Sequence, residues 1–74
     1  MEKLAGFSAN EVIPKLRRAG LVFDRQTKGN HEIWWNHQTH VRTTVPHHPD
    51  DLPEGTLRAI LRQADLSVEE FLGL

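Results

Sequence analysis

The chain has no cysteine among its 74 residues. A disulfide framework and a thiolate zinc site are therefore excluded, and nothing points to an oxidising compartment. Long apolar runs are missing as well: none approaches the ~18 residues needed to cross a bilayer. The N-terminal segment lacks a basic stretch followed by an apolar one, so no signal peptide is expected. Excess charge is the third absence. Nine Lys and Arg against ten Asp and Glu leave a formal net charge of −1, which as a total does not suggest a nucleic-acid partner. The length allows one small domain, residues 1–74, burying only roughly 60–65% of its unfolded surface. The expectation is a cytoplasmic domain with a thrifty core and no membrane contact.

What charge there is lies unevenly. Residues 1–49 carry seven Lys and Arg (Lys3, Lys15, Arg17, Arg18, Arg25, Lys28, Arg42) against four acids (Glu2, Glu11, Asp24, Glu32), a net of +3. Residues 50–74 carry Arg58 and Arg62 against six acids, a net of −4. An ordinary mixed surface accounts for this. The sharper reading is a basic working half beside an acidic half with another task.

Local signals order the elements. Ser8 with Glu11 has capping-box spacing, and Phe7 with Val12 stands where a hydrophobic staple would. Val12, Ile13, Leu16 and Ala19 follow at helical spacing until Gly20 stops the helix. Pro14 inside it lacks an N–H, so irregularity is expected there. Leu21 to Gln26 reads as a strand, Thr27-Lys28-Gly29-Asn30 as a turn, and His31 to Trp35 as the returning strand. Asn36-His37-Gln38 makes a second turn. Thr39 to Val45 forms a third strand ended by Pro46. A second helix begins near Pro53 with Leu57, Ile60, Leu61 and Ala64 as its buried stripe, and Ser67 with Glu70 caps a last short helix to about Leu72. The fold class is α+β, with helices on one face of a three-stranded antiparallel meander.

Five histidines cluster between positions 31 and 48. His37-x-x-His40 and His47-His48 lack a matched third or fourth ligand, so no metal site and no cofactor is expected. His31 differs in kind. It follows Lys28-Gly29-Asn30, where glycine lets backbone approach an anion, and Arg25 and Lys28 are near enough in sequence to hold phosphate. A neutral-pH imidazole serves as general acid or base. These are the parts that cleave an RNA phosphodiester, although a histidine after a hairpin turn also has a plain structural reading. Trp34 and Trp35, adjacent on one strand, face opposite ways. With Ile33 toward the core, alternation puts Trp35 inside, Trp34 outside and His31 on the core-side rim, unless a twist at Gly29 redirects it. An outward Trp34 beside basic residues suits stacking on an unpaired base. It equally suits covering a sheet edge or meeting a protein.

The run Gly20-Leu21-x-x-x-Arg25-x-x-Lys28-Gly29-Asn30-His31, then Thr44-Val45-Pro46-His47, then Leu52-Pro53-x-Gly55-Thr56-Leu57-x-x-Ile60-Leu61-x-x-Ala64-x-Leu66-Ser67-x-x-Glu70-Phe71, resembles the HicA toxins (YcfA-like mRNA interferases). The resemblance extends from about Asn10 to Leu74, and its C-terminal segment is the most specific part. It implies a double-stranded-RNA-binding-like α-β-β-β-α fold, an mRNA-cleaving activity, and a HicB antitoxin partner that covers the active site. His31 occupies the place of the family's catalytic histidine, with Gly29-Asn30 standing where the family has Gly-Ser.

The expected function is thus a toxin of a HicA/HicB-type pair, an endoribonuclease acting on mRNA without metal. His31 would be catalytic, and Lys28, Arg25, Gly29, Asn30 and Trp34 would contact RNA or phosphate. The leaving-group acid is unassigned between His40 and His47. A monomer or weak dimer is expected in the free state. The alternative is a non-catalytic RNA-binding module, or an inactive homologue that only binds a protein partner.

Overall fold

The first helix, α1 (Ala9–Arg18), starts at the anticipated cap: the Ser8 N–H donates to Glu11 Oε1 at 2.9 Å. In the computed structural model, which describes residues 3–74, α1 runs unbroken through Pro14. The expected irregularity is absent for a local reason. Proline forfeits one N–H bond, to the Asn10 carbonyl, and both residues lie on the exposed side where water replaces it.

Strands β1 (Val22–Thr27), β2 (His31–Trp35) and β3 (Arg42–Pro46) form an antiparallel sheet in the order β1-β2-β3. Helices α2 (Glu54–Gln63) and α3 (Val68–Leu72) follow, giving the anticipated α+β order. β3 begins three residues later than the sequence suggests, because Asn36 captures the turn. Its Oδ1 accepts from the Gln38 and Thr39 N–H groups at 2.8 and 3.1 Å, and His40 takes a left-handed φ of 65°.

Register decides which side of the sheet meets the helices. Phe23 pairs with Trp34, Trp34 with Thr43, and Glu32 with Val45. Trp34, Thr43 and Val45 are buried with Leu16, Leu57 and Phe71 in one core fed by all three helices. Thr43 Oγ1 lies 3.0 Å from the Ile60 carbonyl and 3.1 Å from Gln63 Oε1, which also accepts the Thr44 N–H at 3.2 Å. The end of α2 therefore satisfies part of the β3 edge, whereas β1 remains an open edge with Val22 and Phe23 at 43% and 49% exposure.

At the other end, Ser67 caps α3, accepting from the Glu70 N–H while its own N–H donates to Glu70 Oε1 at 2.8 Å. Those bonds, the backbone one first, hold the Glu70 carboxyl below its ordinary value. A depressed folded-state pKa gives stability that is full above the unfolded value and lost as pH falls through the folded one. Glu70→Gln is accordingly expected to flatten the acid end of the stability curve. Thermal melts of both proteins from neutral pH into the acid range check this.

Candidate functional site

The β1–β2 connection is a tight 3₁₀ turn, Lys28–Asn30, in which Gly29 and Asn30 take φ of 70° and 64°. Both are left-handed, the region that glycine enters freely and asparagine tolerates. The Asn30 carbonyl accepts the His47 N–H at 2.8 Å, and Thr27 Oγ1 donates to the His31 carbonyl at 3.3 Å. These bonds fix His31 as the first residue of β2, opposite Thr27 and Pro46.

His31 faces outward. The alternation anticipated from Ile33 is reversed: Glu32 and Trp34 point to the helices, while His31, Ile33 and Trp35 lie on the open face. Trp34 is 2% exposed and cannot offer its ring to a base. The reason is area and satisfaction together. An indole buries more apolar surface than an isoleucine, and its Nε1–H donates to Glu32 Oε1 at 3.1 Å. The Arg17 guanidinium sits 5.2 Å from the ring centroid, and the Phe23 ring meets it edge-on at 5.7 Å.

The exposed His31 side chain makes no hydrogen bond among the described residues. It lines an open cleft of about 440 Å³ with Pro46, His48, Asp50, Asp51, Pro53 and Thr56. None of Arg25, Lys28, Gly29 or Asn30 lines this cleft. Arg25 is paired with Asp24 at 3.2 Å, and Lys28 is exposed on the turn.

His48 is the residue that sequence reasoning missed. The signal was the His47-His48 pair at a strand end, where neighbours point apart, but the pair does not say which goes where. His47 goes inward: its Nδ1 is 2.6 Å from Glu32 Oε2 and its Nε2 is 2.9 Å from Asn10 Oδ1. His40 lies by the β2–β3 turn, its ring 6.0 Å from that of Trp35. Neither sequence candidate for the leaving-group acid therefore reaches the cleft. No group of three His, Asp or Glu among the described residues is arranged to hold a metal ion.

Glu32 joins the buried indole to His47, so its loss leaves the Trp34 N–H without a partner. Glu32→Ala is expected to cost about 1–3 kcal/mol, read as a Tm fall of roughly 5–20 °C.

The basic half anticipated from charge counting is largely committed elsewhere. Lys15 Nζ donates to the Phe71 and Leu74 carbonyls at 3.3 and 3.1 Å, and Arg18 donates to the latter at 3.4 Å. Helix α1 thus spends these cations on the C-terminal segment, while Arg17 covers Trp34.

Against known proteins, the model of the family described as HicA toxin of bacterial toxin-antitoxin matches residues 9–66. The chain belongs to the HicA toxin family. A comparison with the curated proteins finds no match. The HicA match runs from α1 through Leu66 and takes in the hairpin turn, His31 and the whole cleft. Ser67, Glu70 and Phe71, which the resemblance also included, lie beyond it, although Phe71 packs edge-on against Phe7 at 5.1 Å. As a HicA toxin the chain has an antitoxin as its partner. No helix among the described residues is long and apolar enough to cross a membrane.

Proposed function

We propose that this HicA toxin is an endoribonuclease that cleaves mRNA without a metal ion, using His31 as general acid/base. The observation that carries the reading is an exposed imidazole with no hydrogen-bond partner among the described residues, sharing a cleft with a second imidazole. His31 takes the proton from a ribose 2′-hydroxyl, and the 2′-oxygen attacks the adjacent phosphorus. The bond to the 5′-oxygen breaks, and that oxygen is protonated as it leaves. His48 is the candidate donor, since it lines the same cleft. Lys28 and Arg25 lie on the hairpin outside the cleft and are assigned to the phosphates flanking the scissile one, Arg25 by exchanging its Asp24 partner, with Gly29 and Asn30 shaping the turn. Trp34 has no such role, because it is buried.

Wild-type protein incubated with single-stranded RNA in excess chelator is expected to leave 2′,3′-cyclic phosphate and 5′-hydroxyl ends. DNA of the same sequence should stay intact, since it lacks the 2′-nucleophile. Cleavage that stops with chelator, or that cuts DNA, overturns the mechanism.

A second reading is favoured by Asp50 and Asp51, which also line the cleft and repel phosphate. It is a module that binds RNA or its antitoxin without cutting, and it predicts binding with no products in the same assay. In either reading the free toxin is a cytoplasmic monomer or weak dimer.

A further inference from the structure

The open face of the sheet carries a second chemical feature, at the opposite end of β2 from His31. Trp35 pairs across the strands with Arg42, whose guanidinium carbon lies 4.9 Å from the indole centroid. The His37 ring is 4.4 Å from the same indole, and the His40 ring meets it edge-on at 6.0 Å. His37, His40 and Arg42 are exposed, and Trp35 is half-buried. The turn that carries the two imidazoles is pinned by Asn36, whose carbonyl accepts the His40 N–H at 2.8 Å and whose own N–H donates to the Val41 carbonyl at 2.9 Å. Four planar groups are thereby gathered on one surface, each of a kind on which nucleic-acid bases stack.

We propose that Trp35, Arg42, His37 and His40 form a stacking platform that holds unpaired bases of a single-stranded RNA whose phosphodiester lies at His31. The proposal rests on the reading of this chain as an RNA-directed toxin and adds to it where the substrate lies. Charge favours a nucleic acid as the occupant. The outward register positions of the sheet hold Arg42 and Arg25. Arg25 is paired with Asp24 at 3.2 Å and Glu32 is turned inward, so among the described residues Arg42 is the uncompensated charge on this face. Distance agrees as well. Four residues along a strand separate His31 from Trp35 by about 13 Å, within the reach of a short extended strand. Stacking tolerates any base, since each has a π-face, so the platform gives affinity and register with little sequence selection.

The test uses a 2′-O-methyl RNA oligonucleotide, whose blocked 2′-oxygen cannot take part in the cleavage proposed above, so binding is read separately from chemistry. Titration is expected to quench the indole emission of the wild-type protein and to protect one of its two tryptophans from iodide. Trp35→Leu is expected to lose that quench and to bind roughly ten- to a hundred-fold more weakly, while Trp35→Phe recovers much of the affinity. Arg42→Gln is expected to flatten the slope of log affinity against log salt by about 0.7.

Unchanged affinity in a folded Trp35→Leu protein overturns the proposal. So does a wild-type protein that binds without protecting any tryptophan, a readout that holds even where the variant fails to fold. No affinity for the oligonucleotide, with Trp35 covered only in the antitoxin complex, assigns the face to a protein and also overturns it. Binding through Trp35 without cleavage of unmodified RNA leaves the platform standing and removes the nuclease reading. Cleavage with variant binding unchanged does the reverse.

Discussion

His31→Ala is expected to lower RNA cleavage by about 10²–10⁴-fold, the usual contribution of a positioned acid–base group. Growth arrest on expression should disappear with it. Folding should not change, because the His31 side chain is exposed and makes no hydrogen bond among the described residues. The far-UV circular dichroism spectrum and the melting temperature are the controls. His48→Gln refines the result. If the two imidazoles of the cleft share the proton transfers, folded His48→Gln protein also loses about 10²–10⁴-fold in cleavage. Cleavage retained by folded His31→Ala protein eliminates His31 as the catalytic group, whatever the activity of the second variant.

Trp34→Ala is expected to produce the largest loss of stability in the molecule. Emptying a fully buried indole site costs about 3–5 kcal/mol, and a chain of 74 residues has only about 4–11 kcal/mol in total. Much of the protein should be unfolded at physiological temperature, with a Tm fall of roughly 15–30 °C. Trp35→Leu, one position along, is expected to melt within a few degrees of wild type, since its ring lies on the open face. Thermal melts of the two variants side by side decide the facing of β2. A stable Trp34→Ala beside a collapsed Trp35→Leu would restore the alternation that Ile33 suggests.

That facing marks where reading along the chain stopped being sufficient. Element order was legible because its signals are local. Ser8 with Glu11 and Ser67 with Glu70 cap helices through bonds between near neighbours, and Gly29-Asn30 turns the chain through its own backbone preference. The candidate catalytic residue was legible for a related reason, since His31 is defined by what precedes it in the chain. Strand facing is different. His31-Glu32-Ile33-Trp34-Trp35 places an apolar residue on either face in both registers, so period-two alternation gives no unique answer. The third strand was overextended for a similar reason: Thr39 is a good strand former, yet the Asn36 side chain claims its N–H.

The sequence by itself determined the α-β-β-β-α order, the caps, the hairpin turn and the family, each from residues close together or at fixed spacing. Tertiary structure alone decided which tryptophan is core, which of the neighbouring histidines joins His31, and which cations remain for a ligand. Glu32 takes the Trp34 N–H from its own strand, but its second oxygen is satisfied only because His47 arrives from beyond β3. Lys15 and Arg18 turn to the C-terminal carbonyls for the same reason, across 56 to 59 residues of sequence. Such partnerships depend on contacts between distant segments, and no local preference encodes them. The near-zero net charge was therefore a poor guide in both directions: what matters to a polyanion is Lys28 and Arg42 left on the surface, and the fold made that selection.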